Sequence, residues 1–165
     1  MTMRAGIAAD APALARLRLA ARAAAMPGLR EARPAAEVAG WLAAELMARH
    51  GVIVAAGAGQ PAGHVGFGLD PVHGPMVLHL HLDPAWRRRG IGSRLPAEAA
   101  AALGPRLSLF CIARNTGAQA FYERHGFRVA ATSGGAGTEE REPDILNVGD
   151  RGFLDTDTTT SGSTP

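Results

Sequence analysis

The chain contains no lysine, and all 17 of its basic residues are arginine. That absence removes the P-loop type of nucleotide hydrolysis, whose phosphate-binding lysine has no counterpart here. A single cysteine, Cys111, excludes an intramolecular disulfide and suits a reducing compartment, so the cytoplasm is the expected location. No apolar run approaches the roughly 20 residues that a spanning helix needs, and no membrane association is expected. The formal charge is only +2, too small to argue for a nucleic-acid partner. The abundance of Arg, Ala and Gly reads instead as a bias of the coding sequence.

What is present is enough for one domain with a real core: 165 residues, 47% hydrophobic and 19% charged. The Arg-rich, nearly acid-free start superficially resembles an organelle transit peptide. Asp10 as an N-cap, Pro12 in a first turn, and Leu14, Leu17 and Leu19 near helical spacing read instead as a helix over 11–25 that follows a strand over 3–8. "MPGLREARP" ends that helix, and a second is expected over 34–49 with Val38, Trp41, Leu42 and Leu46 marking one face, to pack on a sheet or lean over a pocket. "GVIVAAGAG", "QPAGHVGFGLD" and "PMVLHLHLD" form an antiparallel meander. "GIGSRLPAEAAAALG" is helical, with Pro96 expected to kink or interrupt its early part. "RLSLFCIA" reads as a strand buried on both faces, "TGAQAFYERHG" as a short helix, and "FRVAATS" and the stretch before Gly149 as two last strands.

The order is therefore strand, two helices, three strands, helix, strand, helix, two strands: a mixed α/β sheet with helices on its faces. One domain is expected over 1–148. Residues 149–165, rich in Asp, Thr, Ser and Gly, read as a disordered tail.

The densest chemical signal is "WRRRGIGSRL". A loop that leads from a strand into a helix presents backbone N–H groups without helical partners at the positive end of the helix dipole. Gly90 and Gly92 let a phosphate approach, and Arg87, Arg88 and Arg89 add charge-assisted donors, so a pyrophosphate is the natural guest. A dinucleotide site is disfavoured, because Leu95 stands where the third glycine of G-x-G-x-x-G belongs and no acidic residue lies about 20 positions beyond.

These residues resemble the GNAT superfamily of N-acetyltransferases. The family's [Arg/Gln]-x-x-Gly-x-[Gly/Ala] signature is matched by Arg87-Arg88-Arg89-Gly90-Ile91-Gly92. Its later motif is similar to "NTGAQAFYERHGFR", with Asn115, Ala118, Phe121, Tyr122 and the Gly126-Phe127 pair at the expected intervals. The resemblance spans about residues 3–148. It implies acetyl-CoA as co-substrate with no metal, its pyrophosphate on Arg87 to Ser93, and its pantetheine arm on the backbone of Leu80, His81 and Leu82, in a gap between two splayed strands. It further implies Asn115 beside the cofactor, a backbone N–H near Leu82 on the oxyanion, and Tyr122, the only tyrosine, as the acid that protonates the leaving thiolate. The acceptor would be the amine of a small molecule or peptide, and a homodimer is compatible with the habits of relatives.

The general base departs from the pattern. Many members carry a Glu on the strand before the loop, and "PMVLHLHLD" has no carboxylate before Asp83. His79 and His81 share one face of that strand and titrate near neutral pH, which makes them the candidate bases, with His64 and His73 weaker ones. His125 reads as a residue bonding helix carbonyls, and Cys111 as a small buried hydrophobe. The expected activity is acetyl transfer from acetyl-CoA to an amine. The rival is a catalytically degenerate acyl-CoA sensor or interaction module, left open by the missing Glu.

Overall fold

The computed structural model describes residues 1–150 and Phe153; the remainder of the expected tail lies outside the described residues. Seven strands form one sheet in the order β1-β2-β3-β4-β5-β7-β6. The strands are β1 (Thr2–Ala5), β2 (Gly51–Gly57), β3 (Gln60–Asp70), β4 (Gly74–Leu82), β5 (Leu107–Ile112), β6 (Arg128–Ser133) and β7 (Asp144–Gly149). Four helical segments connect them. These are α1 (Ala11–Ala25), α2 (Ala35–Trp41, continued by a π-helical turn Leu42–Leu46 and a last turn Met47–Arg49), α3 (Ile91–Leu103) and α4 (Thr116–Arg124). The expected order of elements holds.

Each face of the sheet buries its own apolar set. On one side α1 and α2 press Leu14, Val38, Leu42 and Leu46 against Val52 and Val54. On the other, Ile91, Leu95 and Ala99 of α3 and Tyr122 of α4 meet Val65, Phe67, Leu107 and Leu109. A fully buried Leu contributes on the order of 2 kcal/mol through lost water contact alone, so these two layers carry most of the stability.

β4 and β5 are parallel and pair at a single position, Met76 opposite Ser108, whereas every other neighbouring pair is antiparallel with a longer register. Beyond that rung the two strands separate. β4 also carries a bulge. Gly66 faces His79 and Phe67 faces Val77, so Leu78 has no partner on β3. A bulge re-aims side chains locally, and here Val77 joins the α3 layer while Leu78 packs against the α1 layer.

Several expectations are corrected. The first strand ends at Ala5, and Ala8–Asp10 is a 3-10 turn. Asp10 does not cap α1 with its side chain. It accepts the Ile7 N–H at 3.0 Å and both guanidinium ends of Arg4 at 2.7 Å, tying β1 to the turn. The Arg4 hydrogen bonds hold the Asp10 carboxyl below its usual 3.8. A carboxyl so depressed stabilises the fold above that value and ceases to as pH falls through the folded value. Asp10→Ala is therefore expected to cost about 1 kcal/mol at neutral pH, with the gap from the native Tm closing in strong acid, as thermal melts across pH would show.

Pro96 does not interrupt α3, which runs unbroken from Ile91 to Leu103. The ring is fully buried, and the missing N–H would have met only the carbonyl of Gly92, four residues back. β5 is not buried on both sides, since Phe110 is 49% exposed. Of the residues read as tail, Gly149 ends β7, and Phe153 is buried against Phe127 at 4.9 Å and His125 at 5.1 Å.

Candidate active site

The loop between β4 and α3 is held by its own residues. The Asp83 carboxylate accepts the Ala85 N–H at 2.8 Å and starts a 3-10 turn over Pro84–Trp86. The Trp86 ring lies against Gly57, and the Arg89 guanidinium sits 4.7 Å above that ring. Arg88 takes φ +60° and Gly90, the residue before the first helical turn, φ +76°. The first intrahelical bond is Arg94 N–H to the Gly90 carbonyl, so the amides of Ile91, Gly92 and Ser93 face outward unspent. Arg87, Arg88 and Arg89 are exposed. A Cβ built on Gly90 would meet nothing within 4 Å, and one on Gly92 would come only to 3.7 Å from Phe121 and 4.0 Å from Leu82. The small residues here leave room outside the protein, which is what a bulky anion needs.

Behind the loop, Ser93 and His125 join α3 to the end of α4. His125 Nδ1 lies 2.8 Å from the Phe121 carbonyl oxygen, so it donates there, and Nε2 accepts the Ser93 hydroxyl at 3.1 Å. The sequence reading of His125 as a carbonyl-bonding residue agrees with this, and its link to Ser93 had no sequence signal. Asn115 caps α4, its side-chain oxygen accepting the Ala118 N–H at 3.1 Å.

Tyr122 sits in the α3 and α4 layer among Phe121 (5.4 Å), Phe127 (5.9 Å) and Phe153 (6.4 Å). Burial, with Cys111 beside it, pushes its phenol above the usual value, so it stays protonated throughout the neutral range. Burial likewise raises the Cys111 thiol to about 11, and its sulfur faces only the carbonyls of Ile112 and Asn115. That environment makes it inert as a nucleophile.

His79 and His81 do share a face of β4, the one beneath α1 and α2, with ring centres 5.3 Å apart. Trp41 of α2 stacks on His79 at 5.1 Å. Burial, the neighbouring histidines and Arg18 and Arg22 hold both imidazoles well below the ordinary value, which keeps them neutral and weakly basic. His64 lies beside them, whereas His73 is away at the β3–β4 turn, edge-on to Phe110 at 5.3 Å.

A cavity of about 290 Å³ opens over His79, lined by Arg18, Glu31, Arg33, Glu37, Trp41 and the Glu139–Glu140 pair among others. Arg22 clamps Glu31 at 2.8 Å and Glu140 at 2.7 Å, while Arg18 reaches the same two carboxylates at 3.5 and 3.8 Å. Arg33 lies between Glu37 and Glu139. Neither Glu45 nor Asp70 lines this cavity. Glu45 pairs with Arg49, and Asp70 turns its carboxylate onto the Val72 and His73 amides. The carboxylates from the β6–β7 connection were not foreseen, because nothing in "GTEEREP" points across the sheet.

Among the described residues no helix is long and apolar enough to cross a membrane, and no group of three or more His, Cys, Asp or Glu is arranged to hold a metal ion. No curated protein matches the chain. A GNAT-family protein of Desulfovibrio desulfuricans superposes with a TM-score of 0.72 at 19% identity, covering 90% of this chain and 98% of that one. A ribosomal-protein-alanine N-acetyltransferase of Brucella melitensis does so at 0.66 and 21%, covering 90% and 98%. A Bacillus anthracis acetyltransferase in complex with acetyl coenzyme A matches at 0.54 and 21%, over 61% of this chain and 62% of its own. Residues 48–129 match the family model of the acetyltransferase (GNAT) domain. The matched span carries both the Arg87–Gly92 loop and the Asn115–Phe127 segment, in sequence order on that shared scaffold, and residues 48–129 are a GNAT acetyltransferase domain.

Proposed function

We propose that the protein moves the acetyl group of acetyl-CoA to a primary amine by direct attack, with both reactants bound at once. The observation that carries this reading is the opening between β4 and β5, which pair only at Met76 and Ser108. The Arg87–Ser93 loop follows β4, and Tyr122 packs in the same cluster as Leu80 and Leu82 of β4 and Leu107 and Leu109 of β5. Backbone groups of Leu80, His81 and Leu82 that find no partner on β5 are free to bond a pantetheine arm as an added strand would. The unspent amides of Ile91, Gly92 and Ser93, with Arg87, Arg88 and Arg89, suit its pyrophosphate. Asn115, at the head of α4, follows the end of β5 at Ile112 and would stand beside the cofactor.

Holding the amine and thioester in line supplies much of the rate gain. The acceptor enters through the cavity over His79, so that His79 or His81 receives its proton as the new amide forms. Tyr122, held protonated, gives its proton to the sulfur of the departing thiolate. The low basicity of the two histidines is the one observation favouring the sensor reading. Following free thiol from acetyl-CoA across a panel of amines and peptide N-termini decides between them. Amine-dependent release is expected, and binding of acetyl-CoA without release from any acceptor would leave the sensor standing.

The cavity also predicts a preference. Four carboxylates line it against two arginines, and the exposed ring of Trp41 offers a face to a cation. A second carboxylate brought by the acceptor would meet mostly like charge. Amino-acid amides are therefore expected to be better acceptors than the matching free acids by roughly tenfold in kcat/KM, the counterpart of about 1.4 kcal/mol. Equal rates for matched pairs would remove the charge argument.

A further inference from the structure

Arg18 and Arg22 stand one turn apart on α1, meet the same two carboxylates and are spent unequally. Arg22 donates from Nε to Glu31 at 2.8 Å and from Nη2 to Glu140 at 2.7 Å, which fixes both carboxylates. Arg18 donates only from Nη1, to Glu31 at 3.5 Å, and its Nη2 stops 3.8 Å from Glu140, beyond hydrogen-bond range. Nε and Nη2 of Arg18 thus have no hydrogen-bond partner among the described residues. Neither is sealed in: the enclosed side-chain polar atoms without a partner belong to His64 and His79.

Arg18 is one of the residues lining the cavity over His79, and Arg22 is not. The Arg18 side chain is 13% exposed, and burial is the largest influence on its guanidinium, working against the charge. The two arginines and the two carboxylates balance, so Arg18 carries no surplus charge into the cavity. What it carries is a surplus of donors. Nε and Nη2 share one edge of the planar guanidinium and present their N–H bonds side by side, as a fork.

That combination selects an uncharged acceptor oxygen. A carboxylate would add negative charge beside Glu37 and Glu139, which Arg33 alone partners. A carbonyl oxygen adds none and offers two lone pairs to the fork. His79 lines the same cavity, near enough for the charge of Arg18 to act on its ring. An amine aimed at His79 and a carbonyl oxygen at Arg18 fit one small acceptor, with the oxygen on the carbon beside the amine-bearing one.

We propose that Arg18 is a specificity-determining residue that reads this carbonyl, which makes the acceptors α-amino amides, whether peptide N-termini or small amino-acid amides. The inference rests on the acceptor lying in the cavity over His79. The carbonyl oxygen accepts from Nε and Nη2, and the amine is left free to react. Val38 and Trp41 offer apolar surface to the side chain on the amine-bearing carbon. An acceptor without the carbonyl leaves the fork to water and gains nothing from it.

The test compares L-alaninamide and alanylglycinamide with sec-butylamine, which lacks the carbonyl, by thiol release from acetyl-CoA. Each rate is referred to the concentration of neutral amine. Native protein is expected to favour both carbonyl acceptors by roughly tenfold or more in kcat/KM, the size of one hydrogen bond to a charged group. The faster of the two identifies peptide termini or free amides as the source. Arg18→Lys keeps the charge and loses the fork, and the preference should shrink to within about twofold. Arg22→Lys disturbs the same carboxylates from outside the cavity and should keep the preference. Tm and acetyl-CoA affinity are read alongside for both variants. A native preference below about threefold, an undiminished preference in Arg18→Lys, or an equal loss in Arg22→Lys would overturn the assignment and leave acetyl transfer standing. If Arg18→Lys does not fold, the native preference alone decides. Absence of native turnover with every amine would overturn the transfer reading and this assignment together.

Discussion

Tyr122→Phe is expected to reduce turnover of acetyl-CoA with an amine by roughly 100-fold or more, the usual share of a positioned acid. Phenylalanine keeps the ring in its nest of Phe121, Phe127 and Phe153, so the change removes a hydroxyl and nothing else. Tm and acetyl-CoA affinity should stay close to native. The defect should be least with an acyl donor whose leaving thiol is more acidic, because such a thiolate departs without needing a proton. Turnover within threefold of native, measured as thiol release under saturating amine, would sink the acid role.

The second large effect is one of opposite signs. Gly92 lies in the first turn of α3 at a φ that any residue adopts, and a methyl group there makes ordinary contacts with Phe121 and Leu82. Gly92→Ala is therefore expected to stabilise the free protein by about 0.5–1 kcal/mol through the entropy of the unfolded chain. The same methyl occupies space that a phosphate would take beside the Ile91–Ser93 amides. Acetyl-CoA affinity should fall about tenfold for Gly92→Ala and further for Gly92→Leu, as calorimetry would read. A variant that melts higher and binds worse separates a glycine kept for the ligand from one kept for the fold. Unchanged affinity in the Leu variant would place the pyrophosphate elsewhere.

The scaffold was legible because its signals are local. Helical spacing in Leu14, Leu17 and Val38, the Gly and Pro punctuation of the meander, and the loop's arginines and glycines all act within a few residues. Misreadings came where tertiary packing outweighed a local rule. Pro96 stays in an unbroken helix because its ring fills the core, and Phe153 is recruited from a polar stretch by an aromatic cluster that the sequence does not place beside it. Asp10 has a cap's chemistry, yet Arg4, six residues back on β1, competes for it and wins. The site was legible only along each strand. Period two put His79 and His81 together, but the pairing of His64 with His81 depends on the β3–β4 register, and the bulge at Leu78 that fixes it leaves no composition cue. Two of the carboxylates over His79, Glu139 and Glu140, arrive from a connection more than 50 residues later, beyond the reach of any spacing rule.

The rung between Met76 and Ser108 divides the hydrogen-bonded ladder into two plates, β1 to β4 and β5, β7, β6. Side chains under α3 and α4 join the plates, but almost no backbone does. A strand-like ligand lying in that seam would be a structural member as much as a reactant, completing a ladder that the polypeptide leaves open. On the proposed binding of acetyl-CoA, each catalytic cycle would also be a cycle of bracing and release, with the protein stiffest while loaded and loosest as CoA departs.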